Sequence, residues 1–172
     1  MLTSSQSFET PRCIVRPVRD EDLEDVLWVY HACEDFLALG PVATASMEMV
    51  HADLRLSVEE GCCFHVIIDR ESKKIIGVVD FSTAGWEGDP AKAFLSLLMI
   101  AAPYRSRGLG AEIVSAVEAQ MRANPSLTTI ASGVQVNNPG AVRFWQRMGY
   151  QIVSAPRLMP DQTTACELLK TV

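Results

Sequence analysis

No Cys-x-x-Cys pair occurs in this chain, and its five cysteines, Cys13, Cys33, Cys62, Cys63 and Cys166, are odd in number and have no paired histidines nearby. That spacing argues against a zinc ribbon and against a disulfide framework, so the thiols read as buried small hydrophobes. His31, His51 and His65 are scattered, and no metal site is expected. Positive charge is also scarce. Fifteen Lys and Arg against 21 Asp and Glu leave a net charge of −6, with a pI near 5.0, a balance that disfavours a nucleic-acid partner. Apolar residues make up 48% of the chain, yet none of their runs approaches the length of a membrane span. The first residues, Met-Leu-Thr-Ser-Ser-Gln-Ser, lack the basic-then-apolar layout of a signal peptide. A cytoplasmic protein without a membrane partner, monomeric or homodimeric, is expected. With 172 residues and 21% charged side chains, the composition fits a single folded domain, 1–172, whose first ten residues are loosely attached.

What the chain does have is a basic, glycine-punctuated turn between an apolar strand and an amphipathic helix. Residues 93–101 form an apolar run of strand length, and from Leu109 the apolar residues adopt helical spacing at Leu109, Ile113, Val117 and Met121. Between them lies Pro103-Tyr104-Arg105-Ser106-Arg107-Gly108-Leu109-Gly110. Gly108 and Gly110 carry no Cβ, so a ligand can lie against the peptide N–H groups, while the helix N-terminus, Arg105 and Arg107 add positive potential. An ordinary packing turn of an α/β domain reads the same from spacing alone. Two nucleotide patterns are absent: Ala111, Glu112 and Ile113 replace the Gly-Lys-Ser/Thr ending of a P-loop, and Ile113 replaces the third small residue of a dinucleotide fingerprint.

A second informative segment runs from Asn138 to Tyr150. Residues 128–136 are rich in β-branched types and read as a strand, Asn138 suits an N-cap, and Pro139 suits the first helical position. Ala141, Phe144, Trp145 and Met148 then form one apolar stripe, and Gly149 ends the helix at C′. Phe144 and Trp145 read as core packing for at least one of the two, and Arg143 and Arg147 either face solvent or approach a ligand.

Together these segments resemble motifs A and B of the GCN5-related N-acetyltransferase (GNAT) superfamily, Arg-x-x-Gly-x-Gly at Arg105–Gly110 and the Asn138–Tyr150 stretch with its Asn, its Ala three on, its aromatic pair and its terminal Gly-aromatic. The resemblance implies an α/β domain with a central mixed sheet of about six to seven strands and about four helices, in the order β-α-α-β-β-β-α-β-α-β-β. The remaining segments can be assigned to that order. Residues 13–19 read as a strand, and Asp20 as the cap of a helix with Leu23, Val26, Leu27 and Tyr30 apolar. Loop 39–46 leads to a second helix with Met47, Val50 and Leu54 inward, closed by Gly61. Residues 62–69 and 74–82 read as a hairpin about 70–73, loop 83–91 follows, and 151–154 and 164–170 read as closing strands.

The resemblance also implies chemistry. Acetyl-CoA would be the co-substrate, with its pyrophosphate on Arg105, Ser106, Arg107, Gly108, Leu109 and Gly110, and with Asn138, Phe144, Trp145 and Arg147 as further contacts. Pantetheine would enter a gap between the two motif strands and meet the backbone of Met99 and Ala101, with the Ala101 N–H facing the thioester carbonyl. The acceptor would be a primary amine of a small molecule, an amino acid or a peptide N-terminus, attacking directly. Asp80, and Glu87 or Asp89 in the following loop, are the candidate bases, and Trp86, Phe36 and loop 39–46 the candidate acceptor walls. Many relatives carry a tyrosine acid seven residues after the motif B asparagine, where this chain has Trp145, whose indole is no usable acid. That departure leaves a catalytically silent CoA-binding regulatory module as the alternative.

Overall fold

The computed structural model describes residues 6–172. In chain order the elements are β1 (Phe8–Glu9), β2 (Cys13–Pro17), α1 (Leu23–His31), α2 (Glu34–Leu37), α3 (Met47–Glu59), β3 (Cys63–Asp69), β4 (Ile75–Ser82), β5 (Lys92–Ile100), α4 (Leu109–Met121), β6 (Thr129–Gln135), α5 (Pro139–Arg147), β7 (Gln151–Ile152), β8 (Arg157–Leu158) and β9 (Thr164–Thr171). The expected order holds, with three short additions: β1 before the first expected strand, α2 between the first two expected helices and β8 between the two closing strands. β1 was expected to be loose; instead Phe8 pairs with Val15 and its ring is buried with the core, while residues 1–5 of that segment lie outside the described residues. The side-chain cap expected at Asp20 is not made: Asp20–Asp22 form a 3-10 turn leading into α1, and the Asp22 carboxylate accepts from the Arg19 N–H at 2.8 Å and pairs with Arg16.

The strands form one mixed sheet in the order β1-β2-β3-β4-β5-β6-β9-β7, with β8 beside β9; β5 and β6 are parallel, and every other pair is antiparallel. Side chains alternate across a strand, and the sheet is covered on both faces. One face packs Val79, Phe81, Leu95 and Ile100 against Ile113, Val117 and Met121 of α4 and Trp145 of α5. The other packs Val66, Val78 and Met99 against Val26 and Val29 of α1 and Val50 of α3.

A bulge interrupts this alternation where it matters most. Asp80 pairs with Leu97 and Phe81 with Leu95, which leaves Ser96 as an extra residue on β5. Leu95 therefore faces α4 while Leu97, two residues on, faces α1 and α3.

Candidate active site

Four residue pairs join β5 to β6, from Lys92 with Thr129 to Leu95 with Ser132. Beyond them β5 continues to Ile100 and β6 to Gln135 without pairing, so the sheet opens into a gap. The apex is closed by the Ser132 hydroxyl, which donates to the Leu95 carbonyl at 2.8 Å.

Which backbone groups line the gap follows from the ladder on the other side of β5. The Ala101 N–H donates to the Ile76 carbonyl at 2.8 Å. Hydrogen-bonded pairs alternate along an antiparallel ladder, so Met99, opposite Val78, also turns its amide and carbonyl toward β4. The expectation that Met99 and Ala101 offer their backbone to a ligand is thus off by one residue. The groups turned toward the gap belong to Leu98 and Ile100. In agreement, the Ile100 carbonyl is taken outside the ladder by Arg105 Nε at 2.7 Å and by the Cys33 thiol at 3.4 Å.

The turn leading to α4 is built as expected in its backbone and differently in its side chains. Gly108 is the N-cap, with φ +75°, and Ser106 also has positive φ. A Cβ at Gly108 would meet only Arg12 Nη2, at 3.8 Å, so the space over the helix N-terminus is open and its amides can receive an anion. Gly110 serves packing, since a Cβ there would meet the Phe144 ring at 3.4 Å. Arg105 is no free cation either: its guanidinium is paired with Asp35 of α2 as well as with the Ile100 carbonyl. The arginine that crosses the turn is Arg12, which donates to the Arg107 carbonyl at 2.7 Å and to Glu112 at 2.7 Å. Nothing local in the sequence marks Arg12, because it arrives from the loop before β2.

Asn138 caps α5, accepting from the Ala141 N–H at 3.1 Å. Arg143 and Arg147 stand exposed on that helix. Trp145 is only 7% exposed and packs edge-on to Tyr150, with ring centroids 4.9 Å apart, and to Phe144. It belongs to the core, so it is not placed as a cofactor contact.

Asp80 sits on the α1–α3 face of the sheet, level with the apex of the gap. It is 3% exposed and accepts from the Ser57 hydroxyl at 2.7 Å. Burial pushes its carboxyl up to about 6, with the Glu60 and Asp53 charges adding to the rise. Asp53 and Ser57 of α3 and Glu60, the residue that caps its C-terminus, lie on one face, four and three residues apart. Glu60 accepts from Ser96 at 3.0 Å and Asp53 from the buried Tyr30 hydroxyl at 2.6 Å. Burial raises both carboxyls, the Asp53 charge adding to the rise of Glu60 and Asp161 to that of Asp53. Glu87 and Trp86 do not join this group. Glu87 is exposed and paired with Lys92 at the closed end of β5, Trp86 stacks on Phe94 there, and Asp89 accepts from the Ala91 N–H within the same loop. Phe36 packs into the core beneath α1, whereas loop 39–46 does reach the open end, where the Leu39 carbonyl accepts from Asn137 Nδ2 at 2.9 Å.

Two features test whether acetyl-CoA fits. The open space at Gly108 is one. The other is Gln135 Oε1, a buried carbonyl oxygen with no hydrogen-bond partner among the described residues; extending the parallel register places Gln135 opposite Leu98, so a donor within the gap would satisfy it. The residues fit the co-substrate.

A mixed sheet split between two parallel strands, with a bare helix N-terminus at the mouth of the split, defines an acyl-CoA-binding fold. The model of the acetyltransferase (GNAT) family matches residues 23–150, and the chain belongs to that family. No curated protein matches the sequence significantly. Solved structures share the fold at low identity. An acetyltransferase from Thermus thermophilus is 22% identical, with a TM-score of 0.78 over 96% of this chain and 100% of that one. The spermidine N-acetyltransferase of Vibrio cholerae, in complex with CoA and spermine, is 14% identical, with a TM-score of 0.70 over 93% and 95%. The aminoglycoside acetyltransferase AAC(6')-Ib, in complex with coenzyme A and kanamycin, is 18% identical, with a TM-score of 0.71 over 92% and 94%. Among the described residues no helix is long and apolar enough to cross a membrane.

Proposed function

We propose that the protein moves the acetyl group of acetyl-CoA to a primary amine, and that the gap between β5 and β6 is where the two substrates meet. The observation that carries this reading is the pairing of that gap with the buried Asp80 at its apex. Acetyl-CoA supplies an acyl group already activated as a thioester. Gly108 and the first amides of α4 hold the pyrophosphate, with Arg12 and Arg107 beside them. Ile100 lies nearer the turn and Leu98 deeper in the gap, so the Ile100 N–H, whose carbonyl is held by Arg105, donates to the pantetheine arm and the Leu98 N–H donates to the thioester carbonyl oxygen, where negative charge develops.

A free alkylamine carries its proton up to a pKa of about 10, so a base must remove it before attack. Asp80, held near 6, is ionised at neutral pH and is more basic than an ordinary aspartate. Trp145 supplies no proton, being committed to the core, and the leaving thiolate is stable enough to take one from water. Neighbours in complex with spermine and kanamycin are consistent with an amine acceptor.

The test is release of CoA thiol across a panel of amines. Turnover with at least one amine class is expected, and Asp80→Asn should lower kcat by about a hundredfold while acetyl-CoA binds as before. Acetyl-CoA binding without turnover for any amine would instead support the silent CoA-binding module.

A further inference from the structure

On the face of the sheet that carries Asp80, β6 ends in a side chain whose oxygen has nothing to bind. Ile130 and Val134 of β6 pack into the core with α4, so alternation turns Ala131, Gly133 and Gln135 to the opposite face, the one on which Asp80 meets Ser57 of α3. Gln135 Oε1 is buried and has no hydrogen-bond partner among the described residues. An oxygen in that state costs free energy until a donor reaches it. The Gln135 backbone is held in place by pairing with Ala165 of β9. The approach to it is open on one side and bounded on the other. Gly133, two residues earlier on the same face, is exposed, and a Cβ there would meet only the Cys166 carbonyl, at 3.9 Å. Two residues later, Asn137 ties down loop 39–46 through the Leu39 carbonyl.

The level of Gln135 decides which donor that is. The parallel register carried on from Leu95 and Ser132 sets Gln135 opposite Leu98, whose N–H takes the thioester carbonyl oxygen in the reading above. At that level acetyl-CoA presents a carbonyl oxygen, a sulfur and a methyl group, and none of them donates. The attacking nitrogen does. An alkylammonium brings three N–H groups to the site. Two leave as protons, one to Asp80 before attack and one, through water, to the thiolate set free as the C–N bond forms and the C–S bond breaks. The third stays on the nitrogen from the ammonium to the product amide.

We propose that Gln135 Oε1 accepts this retained N–H, and that the site thereby selects primary over secondary amines. As the C–N bond forms the nitrogen gains positive charge, and its remaining N–H becomes a stronger donor. A secondary amine spends both its hydrogens in the same two transfers and ends as an amide without an N–H. Oε1 is then left buried and unpaired at the moment of reaction, which costs more than the lost bond is worth in water. The discrimination comes from a missing partner and needs no steric exclusion of the extra carbon.

The role rests on the acetyl-transfer reading, but the contact can be measured without turnover. Calorimetry with the intact protein compares two CoA adducts, one with –CH2–CO–NH–CH3 on the sulfur and one with –CH2–CO–N(CH3)2. Each carries an amide nitrogen just beyond the thioester position, the first with one hydrogen and the second with none. The first is expected to bind more tightly by about fivefold or more, the effect of one hydrogen bond. Gln135→Met removes the oxygen at similar bulk and should bring the two affinities within about twofold, whereas Gln135→Glu keeps an acceptor and should retain the preference. Equal binding of the two adducts by the parent would overturn the proposal, and so would a preference that survives Gln135→Met with the fold intact by melting temperature. A Gln135→Met protein that binds both adducts and CoA itself more weakly by the same factor would give the oxygen to a pantetheine amide and end the assignment. If the adduct preference depends on Gln135 while no amine is acetylated, the contact stands and the catalytic reading falls. If amines are acetylated while the adducts bind alike, the catalytic reading stands and Gln135 has no part in it.

Discussion

Asp80 pulls stability and chemistry in opposite directions. Its carboxyl titrates near 6 in the folded protein against about 3.8 as the ordinary value, so the native state holds the proton more tightly than the unfolded chain does. That difference stabilises the fold below about pH 4 and is lost as pH rises through about 6. At pH 7 the buried charge is therefore a cost. Asp80→Asn keeps an acceptor for Ser57 and removes the charge, and should raise stability at pH 7 by about 1–3 kcal/mol while flattening its decline between pH 4 and 6. Thermal melts of both proteins across pH 4–8 check this; a variant less stable than the parent at pH 7 would mean that the aspartate is a structural anchor and not a base held in reserve. The residue type at position 80 was legible from sequence, because it follows an apolar strand in the right topological place. Its partners were not. Ser57, Glu60 and Ser96 converge on it only because a bulge turns Ser96 and Leu97 to the α3 face, and a bulge leaves no mark in hydrophobic periodicity. The same bulge and register fix which amides face the gap, which is why Met99 and Ala101 were expected and Leu98 and Ile100 are found.

At the scale of elements, the two motif helices meet through Gly110. The strand, turn and helix of each motif were readable because caps, glycines and the change of period all agree locally. What lies across the turn was not, since Arg12 and Phe144 come from distant parts of the chain. The two glycines therefore have different roles and different predicted failures. Gly110→Leu drives a side chain into the Phe144 ring and should cost about 1–3 kcal/mol through overpacking, with a lower melting temperature before any ligand is added. Gly108→Ala meets open space, so its cost is the left-handed backbone alone, about 1–2 kcal/mol, accompanied by weaker acetyl-CoA binding as the cradle fills. Differential scanning fluorimetry with and without acetyl-CoA separates them. A Gly110→Leu protein that melts like the parent yet fails to bind acetyl-CoA would return Gly110 to the cradle.

For the whole molecule, the gap divides the sheet into a half built from β1 to β5 and a half built from β6 to β9, joined along the strands by four residue pairs. The helices pack across this seam, with α4 and α5 sharing one core. A ligand in the gap supplies the missing ladder. Acetyl-CoA at about a hundred times its dissociation constant should stabilise the fold by about 2.7 kcal/mol through mass action, several degrees in melting temperature for a chain of this size. Any tight ligand would do as much, so the informative measurement is where protection appears. Hydrogen exchange should find the Met99 and Ala101 amides already protected in the free protein, because both donate to β4, and the Leu98 and Ile100 amides faster to exchange. Adding acetyl-CoA should slow Leu98 and Ile100 selectively, while NAD or ATP should not. Protection gained instead at Met99 and Ala101 would mean that the ladder between β4 and β5 is broken on binding, and the assignment of the Leu98 N–H to the thioester carbonyl would be withdrawn.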